Sequence, residues 1–151
     1  MIEINNLTTA PIDEKFLERI CQKVLEEENR KKADLSIALV GPGRIKNLNR
    51  KYRKKNRVTD VLSFPEDKTL LKKFKDFPSQ ATQNLGEIVI CLREVKKNAK
   101  IFREDFKTEL MKVLIHGILH LLGYNHEKSK TAAKKMEEKE NYYLKIWQKL
   151  I

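Results

Sequence analysis

His116-Gly-Ile-Leu-His120-Leu-Leu-Gly-Tyr-Asn-His126 contains every histidine of this 151-residue chain. Histidines that merely fill a core would be scattered, whereas metal ligands have to gather. Four residues of α-helix turn the chain by about 400° and advance it about 6 Å, so His116 and His120 project from one face, one turn apart. Gly123 suits a left-handed cap that ends the helix, and Asn125 tolerates a positive φ. The chain beyond the cap can then bring His126 back toward the first pair. Three neutral imidazoles with a fourth coordination position open form the donor set of a catalytic zinc site. A closed structural site wants four protein ligands, often cysteines, and none lies nearby at suitable spacing. Zinc is the expected ion because imidazole suits it, though nickel or copper would also accept three histidines.

Working outward, the apolar spacing predicts that the histidine-bearing helix runs from about 105 to 122, after a shorter helix over 93–102. Upstream, residues 2–7 alternate weakly as a first strand. Phe16, Leu17, Ile20, Cys21, Val24 and Leu25 define an amphipathic helix over 13–28. Strands are expected at 35–40, 59–64 and 85–92, with a helix over 44–53 turning Ile45, Leu48 and Tyr52 inward. Gly41-Pro-Gly43 breaks the second strand and Pro65 ends the third. Residues 66–84 are Lys-rich and aperiodic, as a surface loop would be. A last helix spans 129–150, with Ala132, Met136, Tyr143 and Trp147 inward. The expected fold is α+β: one domain over 1–151, a small mixed sheet of about four strands, and about five helices.

Lysine and arginine number 32 against 21 acidic residues, a formal charge of +11, which favours a polyanionic partner. No apolar run approaches the ~20 residues that span a bilayer, and the first residues lack the features of a signal peptide. A cytoplasmic protein without a membrane association is expected. Cys21 and Cys91 sit in apolar patterns far apart and read as reduced, buried thiols. Residues 44–57 carry eight basic side chains and no acidic one. Such a cluster can be a solvated helix face, but its sign matches the whole chain and it suits backbone phosphates. Arg50, Lys54, Lys55 and Arg57 are the candidate RNA-binding residues. An arginine reaching from this segment to the metal could offset the extra charge of a pentacoordinate phosphorus.

The spacing H-x3-H-x2-G-x2-H is also that of metzincin proteases, where glutamate follows the first histidine. Here Gly117 stands in that place, and glycine cannot serve as general base on a zinc-bound water. Phosphodiester cleavage in RNA could still work, since metal-bound hydroxide or the ribose 2′-OH supplies the nucleophile, and Gly117 is expected to leave room beside the ion for a bulky substrate. The carboxylates nearest the motifs are Asp60, Glu87 and Glu127, each of which can equally cap a turn or orient a histidine.

Three blocks together resemble the YbeY family, the bacterial endoribonucleases of ribosome maturation. They are Leu48-Asn-Arg-Lys-Tyr-Arg53 with Thr59-Asp-Val-Leu-Ser-Phe-Pro65, then Leu85-Gly-Glu-Ile-Val-Ile-Cys91, then the histidine run. Their order and separations cover about residues 34–127. The resemblance implies a zinc-dependent endoribonuclease specific for single strands, acting in 3′-end maturation of small-subunit (16S) rRNA and in ribosome quality control. Its partners would be rRNA and the small ribosomal subunit, with no organic cofactor. The family's metal ligands fall on His116, His120 and His126, and its functionally important arginine falls on Arg53, which the resemblance makes the candidate catalytic residue. Glu87 and Asn125 stand where aspartates are usual, and Val58 where proline is frequent. The rivals are a ribosome-assembly factor with a structural metal and no catalysis, and a metzincin-like zinc peptidase.

Overall fold

The computed structural model describes residues 1–66 and 84–150. Four strands form one sheet: β1 (Ile2–Asn6), β2 (Asp34–Val40), β3 (Val61–Pro65) and β4 (Asn84–Cys91), in the order β1-β2-β4-β3. β1 and β4 both run parallel to β2, while β3 pairs antiparallel with β4. Helices are α1 (Glu14–Glu27), α2 (Pro42–Arg53), α3 (Leu92–Ile101), α4 (Phe106–Leu121) and α5 (Lys130–Leu150). This is the α+β architecture expected: a mixed sheet and five helices among the described residues. The loop expected at 66–84 lies, apart from its two ends, outside them.

The elements follow from local chemistry. Asp13 caps α1 by accepting from the Phe16 amide at 3.1 Å, and Asp105 caps α4 through the Thr108 amide at 2.8 Å. The two central strands are apolar on both faces because helices cover both. Leu35, Ile37, Leu39, Leu85, Ile88 and Ile90 join α1, α3, α4 and α5 in the larger core. Ala38, Val40, Val89 and Cys91 pack with Leu62 and Ile45 of α2 in a smaller one. α4 is apolar around most of its circumference, as a helix enclosed by a sheet and other helices must be. Both cysteines are free and buried, and burial pushes both thiols up, the reverse of what a reactive cysteine needs.

Three local expectations are corrected. α2 begins at Pro42 rather than at residue 44: Gly41 is the N-cap, and the missing amide of Pro42 costs nothing in the first turn. Tyr52 is not inward but 58% exposed, its ring lying edge-on to Phe64 at 5.3 Å. The inward position is taken by Asn49, 2% exposed, whose side-chain amide donates to the Arg57 carbonyl at 3.0 Å and folds the basic loop back onto the helix. β3 begins at Val61, two residues later than expected. Asp60 instead offers its carbonyl to the Cys91 amide at 2.8 Å.

Gly86 marks an irregularity of β4. Its φ is +124°, and an added Cβ would lie 2.2 Å from the Phe64 carbonyl oxygen. That oxygen belongs to the paired strand and cannot swing aside. Gly86→Ala is expected to lower the unfolding free energy by at least about 2 kcal/mol, a strained backbone plus a displaced ladder. Urea denaturation measures it, and an unchanged midpoint would refute it.

Glu109 is the buried acid of the core, 5% exposed, with one oxygen lacking a partner. Burial raises its pKa above the ordinary 4.5, and the neighbouring Glu104 adds to the rise. The folded state thus binds this proton more tightly than the unfolded chain. The stabilisation is complete below pH 4.5 and is lost as pH rises through the elevated value. Glu109→Gln should therefore raise Tm at pH 7, with the gain shrinking toward pH 4. Thermal melts at the two pH values test this, and a gain equal at both would count against it.

Candidate metal centre

α4 delivers two of the three imidazoles by helical spacing alone, with ring centroids of His116 and His120 4.7 Å apart. The third arrives through the helix stop. Gly123, at φ +103°, donates its amide to the His120 carbonyl at 3.1 Å, and the Tyr124 amide reaches the Leu119 carbonyl at 3.0 Å. These paired bonds are a Schellman cap, which glycine makes without strain. The chain then doubles back, placing the His126 ring 5.4 Å from His116 and 5.1 Å from His120. Asn125 contributes differently from what was expected. Its φ is not positive. Its side-chain oxygen accepts from the Glu127 amide at 3.0 Å, an Asx turn that needs only an oxygen. Asparagine thus makes this turn as well as aspartate would.

One nitrogen from each ring lies within 4.8 Å of the other two. Nitrogens bound to one zinc at about 2.0–2.1 Å would sit somewhat closer. Among the described residues no Cys, Asp or Glu joins this cluster, and the three imidazoles are the groups that could hold an ion. The His116 Nδ1 is engaged by Glu140 Oε1 at 2.6 Å, which leaves Nε2 as its free nitrogen. His120 is pushed down to about 4, mainly by burial, then by His116 and His126, with Arg53 adding to the effect. It is therefore a neutral imidazole near pH 7, as ligation requires. The residues fit a divalent ion that accepts nitrogen donors.

The histidines open into a cavity of about 550 Å³ that Arg53, Asp60, Ser63 and Glu127 also line. Arg53 is the last residue of α2, and Lys54 after it adopts φ 57°, turning the chain away. Arg53 lines the same cavity as the histidines. Arg50, Lys54, Lys55 and Arg57 are exposed and do not line it. Of the three motif carboxylates, Asp60 and Glu127 line the cavity, and Glu127 Oε1 lies 3.9 Å from His126 Nε2. Glu87 does not. Its neighbour Ile88 packs against Gly117, so alternation turns Glu87 to the far face of the sheet.

Gly117 has another purpose than room for substrate. A Cβ there would meet Ile88 Cγ2 at 3.0 Å, and the Gly117 carbonyl accepts from Ser63 Oγ at 3.3 Å. One residue on from His116, the helix has turned about 100° and faces the sheet. Glycine is what lets α4 lie close on β4. A glutamate at this position would be driven into the core.

Glu140 is the residue that the sequence reading missed. α5 presents Met136, Tyr143 and Trp147 to the core, and Glu140 falls on the same stripe at i, i+4, i+7, i+11. An acid on an apolar stripe signals a partner somewhere in the fold, but spacing alone does not say which.

The family model described as Endoribonuclease YbeY matches residues 3–148. An Endoribonuclease YbeY of a Sulfurihydrogenibium species is 38% identical over 139 residues, covering 92% of this chain and 84% of the relative. That of Persephonella marina is 40% identical over 125 residues, covering 83% and 77%. The solution structure of a Thermotoga maritima protein superposes with a TM-score of 0.65 at 33% identity, covering 99% of this chain and 91% of the other. No helix among the described residues is long and apolar enough to cross a membrane. With its histidine trio, its cavity arginine and a match that runs almost end to end, this chain belongs to the endoribonuclease YbeY family.

Proposed function

We propose that this chain is a zinc-dependent endoribonuclease specific for single-stranded RNA. It acts as one domain over 1–151 in the cytoplasm, in 3′-end maturation of small-subunit rRNA and in ribosome quality control. The observation that carries the reading is the shared cavity: Arg53 opens into the same space as His116, His120 and His126. A nuclease needs this pairing, because cleaving a phosphodiester concentrates negative charge on the non-bridging oxygens.

His116, His120 and His126 would hold the ion. When bound, zinc supplies Lewis acidity toward a phosphoryl oxygen and lowers the pKa of water to about 7. Arg53 would meet the phosphate from the other side, its planar fork offering two donors to two oxygens. Asp60 and Glu127 are the carboxylates in reach of a proton at the cavity wall, and no single base is assigned between them. Arg50, Lys54, Lys55 and Arg57, outside the cavity, would grip flanking phosphates of a longer strand. Their exposure matches that task, since a flexible strand is held by charge rather than enclosure.

The basic residues have a testable signature. Each phosphate contact contributes about 0.7 to the slope of log affinity against log salt for a single strand. The quadruple Arg50, Lys54, Lys55, Arg57→Ala variant should bind RNA less tightly with a shallower slope. An unchanged slope would remove these residues from the interface.

The decisive experiment is cleavage of single-stranded against duplex RNA by zinc-loaded protein, with chelator-treated protein and His116→Ala alongside. Cleavage confined to single strands and abolished in both controls is expected. Equal cleavage by all preparations would mark a contaminant and leave a non-catalytic assembly factor. Chelator-sensitive cleavage of peptides would restore the peptidase despite Gly117.

A further inference from the structure

We propose that Glu140 of the C-terminal helix is a positioning residue of the metal centre, fixing the tautomer and direction of the His116 ring. The inference rests on the reading of the three histidines as ligands. It brings α5 into a site whose sequence motifs all lie before it.

The contact is close and directional: Glu140 Oε1 lies 2.6 Å from His116 Nδ1. Neither partner is free in solvent, with side chains 27% and 34% exposed. A carboxylate can only accept here, so Nδ1 carries the proton and the Nε2 lone pair is left to face the ion. The charge behind the ring also raises its strength as a donor. Glu140 is not among the groups that converge on the site, and its contact with Nδ1 leaves the Nε2 of His116 free. Nor is it claimed by the cation beside it. Lys112 shares a small cavity of about 260 Å³ with Glu140, Asp60 and His116, but its ammonium is held by Glu104.

The scaffold holds this pair in register. Glu28, the residue that caps the end of α1, accepts from the Tyr143 hydroxyl at 2.9 Å and from Lys139 at 3.3 Å, three residues after Glu140 and one before it. The same carboxylate accepts from the Tyr124 hydroxyl at 3.3 Å, in the turn that carries His126. One anchor therefore sets both the helix bearing Glu140 and the turn bearing the third histidine. Met136, Tyr143 and Trp147 bury the rest of the stripe, which leaves Glu140 little freedom to point elsewhere.

Zinc affinity by competition with a chromogenic chelator tests this, on full-length wild type, Glu140→Ala, Glu140→Gln and Glu137→Ala. Loss of an orienting partner typically weakens metal binding about 10–100-fold. That loss is expected for Glu140→Ala. Glu140→Gln, which keeps the volume and one acceptor oxygen, should lose less. Glu137 is exposed on the same helix, and its variant should bind as wild type. Nitrogen-15 spectra of metal-free protein give a second readout: the His116 proton should sit on Nδ1 in the wild type and leave it in Glu140→Ala. A merely structural ion pair would not move the tautomer in a folded Glu140→Gln or Glu140→Ala protein. Unchanged affinity and tautomer overturn this inference alone. Failure of the wild type to bind zinc overturns the metal reading, and this one with it.

Discussion

His120→Ala is expected to reduce RNA cleavage by at least about a thousandfold, the several kcal/mol that a metal contributes to charge stabilisation. It is the most revealing of the three ligand substitutions. His120 lies on the helix between its two partners, 4.7 Å and 5.1 Å from their rings, so its removal leaves two donors that no longer close around an ion. Burial and its neighbours hold His120 neutral down to about 4. Zinc content and cleavage should therefore fall together. The fold should survive, because the ring faces the cavity and Leu119 and Leu121 beside it stay in the core. Metal analysis, circular dichroism and single-turnover cleavage on one preparation measure all three. A variant that keeps full activity without zinc would end the metal reading.

Arg53→Ala should cost about a hundredfold or more in kcat, the range found when one preorganised donor to a developing oxyanion is removed. Zinc content should not change. Arg53 ends α2 and lines the cavity without belonging to the helix or the turn that carries the histidines. Arg53→Lys restores charge but not the planar fork, and should recover only part of the loss. The split between kcat and KM matters. A residue that only helped hold RNA would raise KM and spare kcat. An Arg53→Ala enzyme with normal kcat and weaker binding would move Arg53 into the same class as Arg50 and Lys54.

Taken together, the two substitutions separate the halves of the cavity. One half is a helix and its cap, built by local geometry. The other is the end of α2, brought over by the sheet. β3 and β4 span the distance between them, and Gly117 sets how closely α4 can approach that sheet.

Much of this was legible from residue order. The i, i+4 spacing of His116 and His120 and the glycine after Leu122 dictate a helix with two imidazoles on one face and a left-handed stop. Backbone sterics act there over a few residues, with no help from the rest of the chain. The apolar periods of α1, α4 and α5 and the apolar runs of β2 and β4 likewise announce their elements. Where the reading slipped, a distant contact had decided the matter. Tyr52 fits the helical stripe of α2, yet Asn49 went inward because the Arg57 carbonyl needed a donor. Gly117 looked like space for a substrate and proved to be the clearance between a helix and a strand.

The sequence by itself determined that three imidazoles would gather and that a run of cations would precede β3, since both depend on spacing along the chain. Only the tertiary structure decided that Arg53 alone of those cations lines the histidines' cavity, and that Glu140 meets His116 from 24 residues away. Such long-range pairings are set by which faces of the helices the sheet buries, and no local pattern carries that information.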